Sequence, residues 1–67
     1  MSRFKRVIVV EDFDGEITEE LVKKSSYQEL KMIISFVEKE KDLRWIQEWT
    51  TNELIQVDID NLINKCF

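Results

Sequence analysis

The longest run of apolar positions lies near the start of the chain, behind a basic segment and ahead of an acidic one. Residues 3–11 hold four consecutive β-branched side chains, from Val7 to Val10. A short run that is apolar on both faces is typical of a buried strand. Residues 12–15 follow, and Gly15, the only glycine of the chain, can adopt the positive φ that many turns need. We therefore predict a strand over 3–11 and a turn over 12–15.

The segment 16–24 fits two structures. As a strand returning against the first, it completes a β-hairpin and places alternate residues on opposite faces. As a helix, it brings Ile17 and Leu21 together at i,i+4, but over only about two turns. We favour the strand, because the sheet needs a second member close in sequence, and leave open whether 17–24 is strand or helix.

The clearest helical signal covers residues 26–41. Ser26 can cap the start of this helix and Glu29 follows three residues later, which is the spacing of a capping box. Apolar residues then recur at helical spacing. They are Leu30, Ile33, Ile34 and Val37, with Met32 and Phe36 widening the stripe.

Residues 42–49 alternate in polarity in a way that favours a strand. In that conformation Leu43, Trp45 and Trp49 would share one face and Ile46 would lie on the other. We predict a third strand here.

The last part of the chain also allows two interpretations. A helix would start at a capping box of Thr50 and Glu53, with Trp49 and Leu54 at the spacing of a hydrophobic staple. Alternation through Val57, together with poor helix propensity, favours a short strand over 54–58 followed by a helix from about residue 58 or 60. Both interpretations end in a C-terminal helix that covers the sheet.

The predicted elements define an α+β fold in a single domain over 1–67. Their order is a β-hairpin, a helix, a strand, a short strand or turn, and a C-terminal helix, forming two layers of sheet and helices. With one cysteine and no histidine, the chain can form neither an internal disulfide nor a zinc site of Cys and His ligands. Hydrophobic residues make up 43% and none is alanine, so a surplus of large apolar groups favours self-association.

Charge is distributed unevenly along the chain. The net charge is −4, yet the first ten residues carry three bases and no acid, and residues 11–20 carry six acids and no base. Without a sustained basic face, binding to nucleic acid is not expected. The chain also lacks an apolar run of the length that spans a membrane, and its start has no signal-peptide pattern. A cytoplasmic protein with no membrane association is the expectation.

The acidic turn carries a motif of catalytic interest. Asp12-Phe13-Asp14-Gly15 behind an apolar strand resembles the start of phosphatases of the haloacid dehalogenase superfamily, over about a dozen residues. The resemblance implies that Asp12 would attack phosphorus and Asp14 would protonate the leaving group, with Mg²⁺ bridging to the substrate. Glu16 stands where the family has threonine, and a chain of 67 residues cannot hold the family's doubly wound sheet and later motifs. We interpret the motif as a hairpin turn.

The rest of the sequence gives little evidence for metal binding or catalysis. In an EF-hand alignment Asp12 and Asp14 would fill two ligand positions, but Val10 and Leu21 would occupy the first and twelfth, where carboxylates are needed. Without histidine there is no Ser-His-Asp or Cys-His arrangement, and we expect Cys66 to pack among apolar neighbours. We predict a protein that is not an enzyme and has no metal site or cofactor.

A DNA-binding regulator of the ribbon-helix-helix type is the alternative hypothesis. In that fold a basic strand pairs with its twin and enters the major groove. Arg3, Lys5 and Glu11 would contact bases, and 17–24 and 26–41 would be the two helices.

The first hypothesis is a non-catalytic module that docks on a protein partner, as an accessory or inhibitor protein, or on a second copy of itself. Tryptophan is enriched among the residues that dominate interface energies. We expect the contact surface to include Trp45 or Trp49 from the third strand and Val7 or Val9 from the first. The alternative for the two tryptophans is that both pack beneath a helix.

Overall fold

The computed structural model describes residues 6–67, which form a β-hairpin followed by four helices. The elements are β1 (Val7–Val9), β2 (Glu16–Thr18), α1 (Glu19–Lys24), α2 (Tyr27–Ser35), α3 (Glu40–Trp49) and α4 (Glu53–Cys66). The predicted α+β class is confirmed, although helices make up 63% of the structure. Of the first strand predicted over 3–11, residues 3–5 lie outside the described residues, and the remainder is shorter than predicted, because β1 covers only Val7–Val9.

The two strands are antiparallel and meet through a buried isoleucine pair. Ile8 lies opposite Ile17, and both side chains are almost fully buried. Gly15 has a φ of +120° in the connecting turn, a value that side-chain-bearing L residues rarely adopt. The predicted hairpin turn is therefore confirmed, together with the need for glycine at its end.

Both interpretations of 17–24 are partly right, because the strand changes to helix at Thr18. Thr18 is extended, with φ −121° and ψ 166°, and its hydroxyl accepts a hydrogen bond from the Leu21 amide at 3.2 Å. A threonine in this role satisfies one of the free amides at a helix start. The chain thus passes from β2 into α1 without a loop, and Val22 of α1 enters the core.

The predicted capping box of α2 is confirmed. The Ser26 hydroxyl accepts from the Glu29 amide at 3.3 Å, while the Glu29 carboxylate accepts from the Ser26 amide at 2.8 Å. Of the predicted apolar stripe, Leu30, Ile33 and Ile34 are buried. Met32, which was expected to widen the stripe, is half exposed.

The prediction that this helix continues to residue 41 is wrong. The amides of Phe36 and Val37 bond to the carbonyls of Ile33 and Ile34, three residues back, and this tighter turn ends α2. Val37 is buried, and Lys39 is extended before α3 begins. Burial of Val37 at the break lets the chain change direction without a proline or glycine.

The predicted strand over 42–49 is wrong, because these residues form α3. The buried side chains of α3 are Leu43, Ile46 and Trp49, which recur every three residues along one helical stripe. In a strand, Ile46 would point away from the other two. Glu40 and Asp42 in the first turn further favour a helix start at this position.

For the last element the helical interpretation is right and the short strand over 54–58 is wrong. Asn52, rather than Thr50, caps α4, and its side-chain oxygen accepts from the amides of Leu54 and Ile55. The predicted staple does not form, since Leu54 is 63% exposed.

Hydrogen bonds from side-chain amides join α3 to α4 and to the connection between them. Gln47 donates to the backbone oxygen of Gln56 at 2.9 Å, and Gln56 donates to the carbonyl of Thr50 at 3.0 Å. Thr50 is buried, and its hydroxyl accepts from the Asn52 amide. These bonds satisfy polar groups at the α3–α4 connection, where burial without partners would be costly.

One hydrophobic core joins the hairpin to all four helices. Its buried side chains are Ile8, Ile17, Val22, Leu30, Ile33, Ile34, Val37, Leu43, Ile46, Trp49, Ile55, Ile59 and Ile63. The helix α4 packs on α3 and α2, and α1 packs on β2 and α3. α3 therefore packs between α1 and α4, and its orientation decides which of its own side chains reach the surface.

The turn at Gly15 generates the first testable prediction. Nothing lies within 4 Å of a β-carbon added at Gly15, so the cost of Gly15→Ala comes from the backbone conformation alone. We expect this variant to lower the free energy of unfolding, measured by urea denaturation, by about 1–3 kcal/mol. A synthetic chain with D-alanine at this position favours positive φ and should match or exceed wild-type stability. Equal losses for the L and D variants would contradict the backbone explanation.

The capping box generates a second prediction, on pH. The hydrogen bonds from the Ser26 amide and hydroxyl lower the pKa of the Glu29 carboxyl below its ordinary value. The stability that Glu29 contributes is thus complete above its ordinary pKa and is lost as the pH falls through the lowered one. Glu29→Gln keeps an acceptor for the Ser26 amide but does not titrate. The stability difference between wild type and this variant should shrink on acidification from pH 6 to pH 3, and a constant difference would contradict this.

Candidate functional site

The two tryptophans of α3 stack on each other but differ in exposure. Their ring centroids are 6.4 Å apart with an interplanar angle of 28°. Trp49 is 6% exposed and belongs to the core, whereas Trp45 is only partly buried against it. Packing is therefore the right interpretation for Trp49. Trp45 sits one helical turn earlier and keeps an open part of its ring.

Two cations approach the indole ring of Trp45. The guanidinium carbon of Arg6 lies 5.2 Å from the ring centroid, and the ammonium nitrogen of Lys41 lies 5.5 Å from it. Both distances are within the range of cation–π attraction. Arg6 also donates to Glu48 at 3.4 Å, while no carboxylate within residues 6–67 forms an ion pair with Lys41. We call Arg6, Lys41, Trp45 and Glu48 the Trp45 surface.

Val7 and Val9 are both exposed on the hairpin. Val7 is 37% exposed and Val9 is 76% exposed, opposite Thr18 and Glu16 of β2. Alternation along β1 places them on the face opposite the buried Ile8. The predicted contact residues thus lie on two elements, with Val7 and Val9 on the outer face of β1 and Trp45 on α3.

An open groove of about 300 Å³ lies beside the Trp45 surface, between the end of β1 and the α2–α3 connection. Its apolar lining comes from Val9, Val10 and Phe36. Its charged lining comes from Glu11, Asp12, Glu38, Lys39 and Asp42. With four acids against one base, this acidic groove carries a negative charge. Sequence analysis missed it, because its residues come from segments that only the fold brings together.

The back of the groove is held by an aromatic contact. The rings of Phe13 and Phe36 have centroids 5.9 Å apart and are tilted by 60°. This is a favourable edge-oriented arrangement for two aromatic rings. Phe13 also donates its amide to the carbonyl of Val10 at 3.1 Å, which fixes the turn. The hairpin turn is thereby anchored to the α2–α3 connection.

The residues of the phosphatase-like motif take the positions of a turn. Asp12 and Asp14 are exposed, and Asp12 lines the acidic groove while Asp14 precedes Gly15. Residues 6–67 contain no group of three His, Cys, Asp or Glu side chains placed to hold a metal ion. Cys66 is exposed at the end of α4, so the expectation that it packs among apolar side chains is wrong.

The geometry of β1 bears on the ribbon-helix-helix alternative. β1 already pairs with β2 of the same chain, and its outward side chains are valines. The side chain of Arg6 reaches α3, and Glu11 lines the acidic groove. Arg3 and Lys5, the other expected readers of DNA, lie outside the described residues.

Comparison with known proteins supplies no identification. No protein family, no curated protein and no solved structure matches this chain. Within residues 6–67, none of the helices has the length and apolar character needed to cross a bilayer.

The unequal burial of the two tryptophans generates a third prediction. Removing the buried ring in Trp49→Ala should lower the free energy of unfolding by about 3–5 kcal/mol, because a large cavity remains. Trp45→Ala should cost only about 1–2 kcal/mol. In single-tryptophan chains, Trp49→Phe should leave an emission that acrylamide quenches readily, and Trp45→Phe should leave one that it quenches weakly. The reverse order of quenching would contradict the assigned burial.

Proposed function

We propose that this chain is a non-catalytic interaction module, an accessory or inhibitor protein of the cytoplasm that docks on a protein partner through the Trp45 surface. The observation that carries the proposal is the position of Trp45. Its ring is stacked on a core tryptophan, flanked by Arg6 and Lys41, and still partly open to solvent. Tryptophan and arginine are the residues most enriched among interface hot spots.

Preorganisation supports a docking role for Trp45. The contact with Trp49 limits the conformations of its ring before any partner arrives. A side chain that is already ordered loses less conformational entropy on binding, so more of the contact energy appears as affinity.

The electrostatics favour a protein over a nucleic acid as the partner. The charge of Arg6 is partly balanced by Glu48, and the acidic groove lies next to the Trp45 surface. Carboxylates in the groove would repel a phosphate backbone. A protein surface can meet both regions, because it can present apolar, acidic and basic groups together.

The fourth prediction tests the Trp45 surface as the docking site. The wild-type chain, Trp45→Ala and Leu54→Ala serve as baits in extracts of the native host, and captured proteins are identified by mass spectrometry. The partner is then purified, and its affinity for each bait is measured by calorimetry. We expect Trp45→Ala to weaken binding by roughly tenfold or more. Leu54→Ala, which removes a more exposed apolar side chain from α4, should bind like wild type.

Two outcomes would contradict the proposal. One is a purified partner that binds Trp45→Ala as tightly as wild type. The other is a salt-dependent, sequence-selective gel shift with duplex DNA, which would support the regulator instead. Circular dichroism of each bait must first show the wild-type helix content, so that loss of binding reports the surface and not the fold.

A further inference from the structure

The Trp45 surface and the acidic groove are contiguous. Asp42 of the groove follows Lys41 and lies three residues before Trp45 in α3, and residues three or four apart are neighbours on a helix surface. Arg6 directly precedes β1, and Val9 at the end of β1 lines the groove. The two regions therefore adjoin at β1 and the start of α3.

The two halves of this surface are chemical complements of each other. One half presents an aromatic ring flanked by two cations. The other is an open groove with three apolar residues and an excess of carboxylates. An aromatic side chain with cationic neighbours is the kind of group that such a groove would receive.

We infer that the occupant of the acidic groove is a second copy of this chain. The Trp45 surface of each copy packs against the acidic groove of the other. The inference deepens the proposed function, on which it rests, by naming the partner. A two-fold axis near Lys41 and Glu38 makes the two contacts identical, and a closed dimer results.

Charge complementarity distinguishes this arrangement from other pairings of two copies. Groove against groove would place carboxylates together, and the Trp45 surfaces facing each other would bring Lys41 against Lys41. Only the reciprocal arrangement puts each cation beside carboxylates in both contacts at once. The exposed apolar side chains of α4, Leu54 and Val57, carry no charge that could complement the groove.

The exposed position of these charges sets the strength of the dimer. Ion pairs near solvent are screened and individually weak, so we expect a dissociation constant on the order of 10–100 µM at low ionic strength. Raising the salt concentration from about 0.05 M to 0.5 M shortens the screening length several-fold and should weaken the dimer roughly tenfold.

Two charge-reversal variants test the inference, because mixing them should restore the dimerisation that each loses alone. Lys41→Glu makes the Trp45 surface repel the groove, and Glu38→Lys makes the groove repel the Trp45 surface. Both side chains are exposed. By sedimentation equilibrium, each variant alone should dimerise at least tenfold more weakly than wild type. An equimolar mixture should recover the wild-type constant, because both contacts of the mixed dimer again join opposite charges.

Matched variants control for net charge. Lys31→Glu and Glu53→Lys carry the same net charges but lie on α2 and α4, outside the residues that form the Trp45 surface and the groove. Each alone should dimerise like wild type, and their mixture should show no gain. On dilution of the wild-type chain, NMR shifts should concentrate at Arg6, Lys41, the Trp45 indole N–H and the groove.

Three results would overturn the inference. They are a wild-type chain that stays monomeric at millimolar concentration, a mixture that is not rescued, and dilution shifts confined to α4. These measurements use the purified chain alone, so they are independent of the partner experiment. If the chain is monomeric and a purified partner binds wild type but not Trp45→Ala, the dimer is refuted and the proposed function stands.

Discussion

The apolar stripe of α3 is the constraint on which the rest of the structure depends. Leu43, Ile46 and Trp49 must all enter the core, because a chain without an internal disulfide has little else to stabilise it. Once that stripe faces α1 and α4, the rotation of α3 is fixed. Trp45 and Lys41 then reach the surface beside β1, and Asp42 reaches the groove. Core packing and surface chemistry are therefore set by the same helix.

Local signals predicted those parts of the fold in which they were unambiguous. The turn at Gly15, the capping box at Ser26 and the stripe of α2 each depend on a few neighbouring residues. The segment 42–49 was predicted wrongly because eight residues fit two periods, with Trp45 supporting a strand and Ile46 a helix. Burial of Ile46 between neighbouring helices decides between them, and that information is not local. The break after Ser35 is similar, because it depends on where Val37 packs.

The same distinction applies to the candidate site. Sequence analysis selected Trp45 by residue type alone, and it could not separate Trp45 from Trp49, since only the packing shows which ring lies beneath the other. Val7 and Val9 were selected because helices of so short a chain can cover only one face of the hairpin, and both are indeed exposed. The acidic groove had no signal in the sequence. Its carboxylates belong to segments more than twenty residues apart, at Asp12 and Glu38, which Phe13 and Phe36 bring together.

The arrangement of charge around α3 links stability to recognition. Asp42 lies in the first turn of α3, where a carboxylate favours the helix start, and the same side chain adds negative charge to the groove. Lys41, its neighbour in sequence, points instead to the ring of Trp45. These two adjacent residues lie about 100° apart around the helix axis and thus contribute to two regions of opposite charge. Substitutions at the exposed charges can therefore change the preferred partner of this surface. They leave the stripe of Leu43, Ile46 and Trp49 and hence the fold unchanged, because the exposed and the buried positions of α3 are different residues.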